Sequence, residues 1–206
     1  IRNKWIITNK FPDKSSPDMS FYKIVPVDTD FTEETAGYGK CIYSKQKFDI
    51  GTYTDDELRK LLKKPDVRKC IFSTYRSWVI VNLLLSTGIR QNSLVNIKIK
   101  DLDFDNRIVY VNVTKNRKPL IIPLNEDIVK ILHEYLKYRQ GNMEDWLFIS
   151  TYGDQLTRSS CYHALWDYCH ICGIERTGVH RFRHTFAKKW VTMGGSVVTL
   201  QKILGH

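Results

Sequence analysis

Val67-Arg68-Lys69-Cys70-Ile71-Phe72-Ser73-Thr74-Tyr75-Arg76-Ser77-Trp78-Val79-Ile80-Val81-Asn82-Leu83-Leu84-Leu85-Ser86 reads as one helix, and its reading decides the fold. Ile71, Phe72, Trp78, Val79, Val81, Leu83, Leu84 and Leu85 cover most of its sides. A helix apolar nearly all round belongs in the middle of a core. Arg68, Arg76 and Asn82 interrupt the run, which excludes a membrane span. Gly88 is placed to close the helix in the left-handed conformation. Arg90 follows at once and leads into a short helix, Asn92 to Ile97.

Outward from this helix the chain supplies partners for it. Upstream, Thr54-Asp55-Asp56-Glu57 is a capping box, predicting a helix from Asp55 to about Lys64 that stops before Pro65. Downstream, Asp105-Asn106 is a turn and Ile108 to Thr114 a strand. Lys115 to Lys118 is a basic turn and Pro119 to Pro123 the returning strand of a hairpin. Asn125 caps a helix whose Ile128, Ile131, Leu132, Tyr135 and Leu136 share one face. Trp146 to Ile149 is a candidate short strand, and helices are expected over Thr157–Cys172, His180–Met193 and Ser196–Leu204. The expected class is α+β, mainly α-helical with a small antiparallel sheet. Residues 1–52 contain Pro12, Pro17, Pro26 and Gly37-Tyr38-Gly39 and lack a helical period beyond Ile1–Ile7, so compact folding is expected from Tyr53 to the end, 53–206.

The 206 residues, 42% of them hydrophobic, suffice for one sizeable core. Lys and Arg number 32 against 22 Asp and Glu, a formal charge of +10, which points to a polyanionic partner, most simply nucleic acid. Five cysteines without a secretory signal suggest a reducing, cytoplasmic setting. Cys161, His163, Cys169, His170 and Cys172 cluster, but on one helix, with Leu165, Trp166 and Cys169 on its apolar side. A single Cys-x-x-Cys is a weak zinc signal, so buried free thiols are the expectation, with no metal or other cofactor.

The chemistry gathers in Val179-His180-Arg181-Phe182-Arg183-His184. Helical spacing puts His180, Arg183 and His184 on one face of the first turns. Two imidazoles and a guanidinium beside the free N–H groups of a helix start make a good anion site, or simply a polar helix start. Arg offers a planar fork matched to phosphate oxygens, and His can move a proton near neutral pH. Three more basic groups stand at element ends or turns: Arg90 after Thr87-Gly88, Lys115 in the hairpin turn, and His206 after the helix-closing Gly205. With no paired carboxylates in this set to hold a divalent metal, charge on a phosphodiester would be met by protein cations.

In this order and spacing, Thr87-Gly88-Ile89-Arg90, Lys115, His180-x-x-Arg183 and Leu204-Gly205-His206 resemble the tyrosine recombinase family, of the phage integrase and XerC/XerD type. The resemblance covers about residues 53–206, the catalytic domain. The stretch Ile1 to Asn9 resembles the end of the family's core-binding domain, which would make 1–52 its tail and the interdomain linker. It implies that Arg90 and Arg183 hold the non-bridging oxygens of the scissile phosphate and that His180 bonds that phosphate and assists proton transfer. Lys115 would be general acid to the leaving 5′ oxygen, with Lys118 in the same turn as the alternative, and His206 would stabilise the transition state. His184 would be supporting, as would Ser93, where the family commonly carries Glu. Arg117, Lys118, Arg158, Arg181 and Lys188 would contact DNA.

The resemblance further implies a tyrosine nucleophile forming a 3′-phosphotyrosyl link, so that strands rejoin without ATP or metal. None of the eleven tyrosines stands at the matching position, a short way past Leu204-Gly205-His206, so the nucleophile is expected outside this chain, and cleavage by this chain alone is not expected. The expected partners are duplex DNA and further copies of the protein in a tetrameric synapse, without a membrane. The expected activity is integration or excision of a mobile element in the cytoplasm, on the nucleoid. The competing readings are a type IB topoisomerase, which reseals one duplex, and a non-catalytic DNA-binding regulator on the same fold.

Overall fold

The computed structural model describes residues 51–113 and 119–205, all within one compact unit, Lys47–His206. The expectations for residues 1–50, for Thr114, and for Lys115, Arg117, Lys118 and His206 lie outside the described residues.

The chain enters through α1 (Asp55–Leu62). Its capping box is present in both directions: Thr54 Oγ1 accepts from Glu57 N at 3.2 Å and Glu57 Oε2 accepts from Thr54 N at 2.7 Å. The central helix α2 spans Phe72–Thr87, five residues shorter at its start than its sequence implies. Asp66 is the reason, because its side chain accepts from Arg68 N and its carbonyl from Lys69 N and Cys70 N. That closes a separate turn, and Ile71 leaves it extended. From Tyr75 to Val81 every α2 residue is buried, as are Leu83 and Leu84. Arg76 is among them, its Nη1 donating to the carbonyl of Ile149 and tying α2 to the loop before α5.

Gly88 ends α2 with φ +62°, and a Cβ there would run into the Phe186 ring. The short helix after it is α3 (Gln91–Leu94), one turn rather than the expected run to Ile97. The intervening chain instead makes a 3₁₀ turn, Ile99–Asp101, and a two-residue strand, β1 (Leu102–Asp103), neither of them expected. Asp101 braces this region, accepting from Lys98 N at 2.8 Å and from Asn112 Nδ2 at 3.0 Å. The antiparallel sheet runs β1-β2-β3, with β2 Ile108–Val111 and β3 Leu120–Pro123 paired from Ile108↔Pro123 to Val111↔Leu120. Val109, Val111 and Ile122 face the core while Tyr110 and Ile121 face out, the two-residue period of a half-buried sheet.

Helix α4 (Glu126–Arg139), capped by the Asn125 side chain, packs Ile128, Leu132 and Tyr135 against α2. Trp146 to Ile149 is not a strand, because it makes only isolated bridges, Lys98↔Trp146 and Ile149↔Gln155. Helix α5 (Arg158–Ile171) buries Cys161, Leu165, Tyr168 and Cys169. Trp166 departs from expectation: it is 44% exposed and stacks on His170 at 3.7 Å, one turn away on the solvent side. Burial pushes the Cys161 and Cys169 thiols up to about 11, which keeps them protonated and inert. Helices α6 (Val179–Thr192) and α7 (Val197–Leu204) then lie across the end of α2. Among the described residues no helix is long and apolar enough to cross a membrane.

Candidate active site

The site forms where three element ends meet. Arg90 sits just before α3, two residues after the left-handed Gly88. Ile89 is buried beside it, and Thr87 Oγ1 donates to Leu83 O at 2.6 Å and accepts from Ile89 N, so the turn carrying Arg90 is fixed. Phe186 of α6 and Leu204 of α7 both press on Gly88. The Arg90 turn, the middle of α6 and the end of α7 therefore meet at a residue without a side chain.

Two guanidinium forks converge there from distant parts of the chain. Arg183 donates from Nη1 to Gly88 O at 2.8 Å and from Nη2 to Leu204 O at 2.7 Å. Arg90 donates from both amino groups to Gly205 O at 3.3 Å. The acceptors at residues 204 and 205 are consecutive carbonyls at the C-terminal end of α7. Burial first, and the neighbouring Arg90 charge second, lower the pKa of Arg183 to about 10. Arg183 stays cationic at neutral pH, and two adjacent cations favour an anion between them.

His180 and His184 are exposed on the first two turns of the same α6, with Arg183 between them. The expected face of two imidazoles and one guanidinium is thus present. Ser93 is buried in α3, and the Arg90 fork is braced by the Gly205 carbonyl. The β3 strand packs against α7, and Leu120 lies beside Gly205 as Arg90 does, so the base of the hairpin borders the same region. Arg158 and Lys188 are exposed, Arg158 beginning α5 and Lys188 lying at 3.3 Å from Thr52 Oγ1.

Arg181 departs from the role expected of it. Its side chain is 11% exposed and donates to Glu57 Oε2 at 2.8 Å, to the carbonyls of Gly51 and Thr52 at 3.2 Å, and to the carbonyl of Arg176. Its guanidinium also lies 4.1 Å from the centre of the Tyr53 ring. A fork this buried and already paired with a carboxylate points into the protein, not toward a DNA backbone. No local pattern distinguishes it from Arg183 two residues on, because its partners lie about 130 positions away.

A family model described as the phage integrase family matches residues 52–206. The chain belongs to the phage integrase family. This family member is 32% identical over 168 residues to the tyrosine recombinase XerC of Staphylococcus epidermidis, covering 79% of the chain and 55% of that relative. The crystal structure of XerA recombinase matches with TM-score 0.65 and 31% identity, over 76% of this chain and 56% of that one. XerH site-specific recombinase bound to its difH substrate, a pre-cleavage complex, matches with TM-score 0.62 and 25% identity, over 75% and 47%. The chain spans about half the length of the curated relatives it matches. The integrase-family fold is the mainly helical α+β arrangement expected from the sequence.

Proposed function

We propose that this chain is the catalytic domain of a site-specific DNA recombinase that cleaves and rejoins duplex DNA through a 3′-phosphotyrosyl link, and that the parent protein integrates or excises a mobile element. The observation that carries this reading is the convergence of the Arg90 and Arg183 forks on consecutive carbonyls at the end of α7, with His180 exposed one turn before Arg183 on α6. Rigid planar forks suit the non-bridging oxygens of one phosphate, whereas unordered surface cations would serve non-specific binding equally well.

In the proposed reaction a tyrosine hydroxyl attacks the phosphorus, forming the tyrosyl–phosphate bond as the bond to the 5′ oxygen breaks. Arg90 and Arg183 hold the equatorial oxygens while His180 donates to the phosphate and handles the nucleophile's proton. Lys115 protonates the leaving 5′ oxygen and His206 stabilises the crowded phosphorus. His184 supports the α6 face. Burial pushes the Tyr53, Tyr75, Tyr135 and Tyr168 phenols above their ordinary range, which makes each a poor nucleophile. Arg117, Lys118, Arg158 and Lys188 hold flanking backbone phosphates, and four protomers on two duplexes would form the synapse.

The test uses the full-length protein and a nicked suicide duplex, with products separated on a denaturing gel. A covalent protein–DNA adduct and strand exchange between two sites are expected. Tight binding without an adduct would make the protein a regulator on this fold. Supercoil relaxation without exchange between sites would make it a topoisomerase.

A further inference from the structure

Helix α6 has two working faces, and the one away from the phosphate grips the start of the domain. Residues 181, 182, 185 and 188 lie on that face, and each touches Thr52 or Tyr53. Arg181 covers the Tyr53 ring and bonds Glu57, as described above. The Phe182 ring lies 4.7 Å from the Tyr53 ring. Thr185 Oγ1 accepts from Tyr53 N at 2.9 Å and donates to Arg181 O at 2.8 Å. Lys188 Nζ reaches Thr52 Oγ1 at 3.3 Å. The Tyr53 hydroxyl lies 3.9 Å from Cys169 Sγ of α5, so the ring is held at its far end too.

We infer that Arg181 is a positioning residue for the phosphate site: clamped on Tyr53 and Glu57, it sets the rotation of α6 about its own axis, and so the aim of His180 and Arg183. This rests on the reading of the site as a phosphodiester-cleaving centre. The geometry makes aim sensitive. A side-chain group lies about 6 Å from a helix axis, so a rotation of about 10° moves it by about 1 Å. A displacement of about 1 Å at a reacting centre can cost about a hundredfold in rate. The apolar contacts of Phe182 are non-directional and bury its ring without fixing one hydrogen-bond geometry. The Arg181 fork, fixed by an ion pair, backbone carbonyls and a ring face at once, resists rotation.

The test compares Arg181→Met, Glu57→Gln and Tyr53→Phe in the full-length protein, well below the melting temperature of each variant. Duplex affinity and its salt dependence are measured alongside the single-turnover rate of adduct formation on a nicked suicide duplex. For Arg181→Met, adduct formation should slow by roughly tenfold to a hundredfold while the dissociation constant stays within about twofold and the salt slope is unchanged. Glu57→Gln keeps the capping acceptor for Thr54 and loses only the ion pair, so it should slow the reaction less; it carries the test if Arg181→Met does not fold. Tyr53→Phe keeps the ring face under Arg181 and loses only the long contact to Cys169, so it should slow the reaction less than either of the other two. A weaker dissociation constant with a salt slope reduced by about one charge would overturn the inference and make Arg181 a phosphate contact. An unchanged adduct rate in both Arg181→Met and Glu57→Gln would overturn it as well. If the wild-type protein bound duplex without forming an adduct, the reading of the site would fail separately. Amide exchange at residues 180–184 would then decide the clamp: faster exchange in Arg181→Met upholds it, and unchanged exchange overturns it.

Discussion

Among the described residues there are two hydrophobic clusters, and they are built differently. The large one, around α2, contains Val79, Ile80, Val81, Leu132, Phe148 and Phe182 at 0% exposure and draws on every α-helix and strand from α1 to α6. The small one, under α6 and α7, consists of Phe186, Leu200 and Leu204 at 7–9% exposure, flanked by Ala187, Trp190 and Ile203. Dry packing sustains the first. The second is shallow, and α7 is also held by polar bonds from Arg90 and Arg183. The candidate site residues Arg90 and Arg183 are thus struts for the shallowly packed end of α7, so damage to the two regions should look different.

The largest effect is expected in the first cluster. Leu84→Ala, at 1% exposure, should lower global stability by about 2–5 kcal/mol, measured by urea unfolding with a single transition. Next comes the seam between the regions. Arg183→Lys should slow adduct formation by roughly ten- to a hundredfold, since one ammonium cannot replace two charge-assisted bonds of about 1.5–3 kcal/mol each. Equal rates for the two proteins would remove Arg183 from the reaction. Leu204→Ala should cost under about 2 kcal/mol globally, yet speed amide exchange in α7 while leaving α2 protected. Exchange rising equally in both helices would show one cooperative unit and erase the contrast.

The smallest effect is a pH dependence at the domain's entry. Burial raises the Glu57 pKa, but the Thr54 backbone N–H and the Arg181 guanidinium outweigh it and hold the carboxyl below its ordinary 4.5. The folded state therefore prefers the ionised form. This contribution is complete above pH 4.5 and is lost as pH falls through the lower folded value. Glu57→Gln should flatten that part of the melting-temperature curve by lowering stability at pH 7, leaving the acid limb nearly unchanged. A curve as steep in Glu57→Gln as in the wild type would assign the acid sensitivity to other carboxylates.

What was legible in the sequence followed from short-range physics. Thr54 and Glu57 announced a cap three residues apart, Gly88 a left-handed helix end, and Asn125 another cap. Each depends only on neighbours along the chain. Arg90 and Arg183 were picked out by their places at element ends, and the fold brings their two forks to the end of α7. Two things were not legible, for one reason. Strand β1 exists because Leu102 pairs with Val109, and Trp146 to Ile149 fails as a strand because it has no continuous partner. Arg181 looks like a DNA contact until Tyr53 and Glu57 are seen beside it. Asp66 worked at shorter range: its local turn outcompeted the first turn of α2, a contest that apolar periodicity does not register.

The carbonyls at Gly88, Leu204 and Gly205 also have a thermodynamic consequence. An arginine side chain free in solvent gives up about 2 kcal/mol of rotamer entropy when it is immobilised. Arg90 and Arg183 are already immobilised by those carbonyls, so this loss accompanies folding and not the arrival of a phosphate. Anion capture at the pair should therefore carry a small entropic penalty in calorimetry, and replacing either fork by a flexible Lys should make binding entropy less favourable even where affinity changes little.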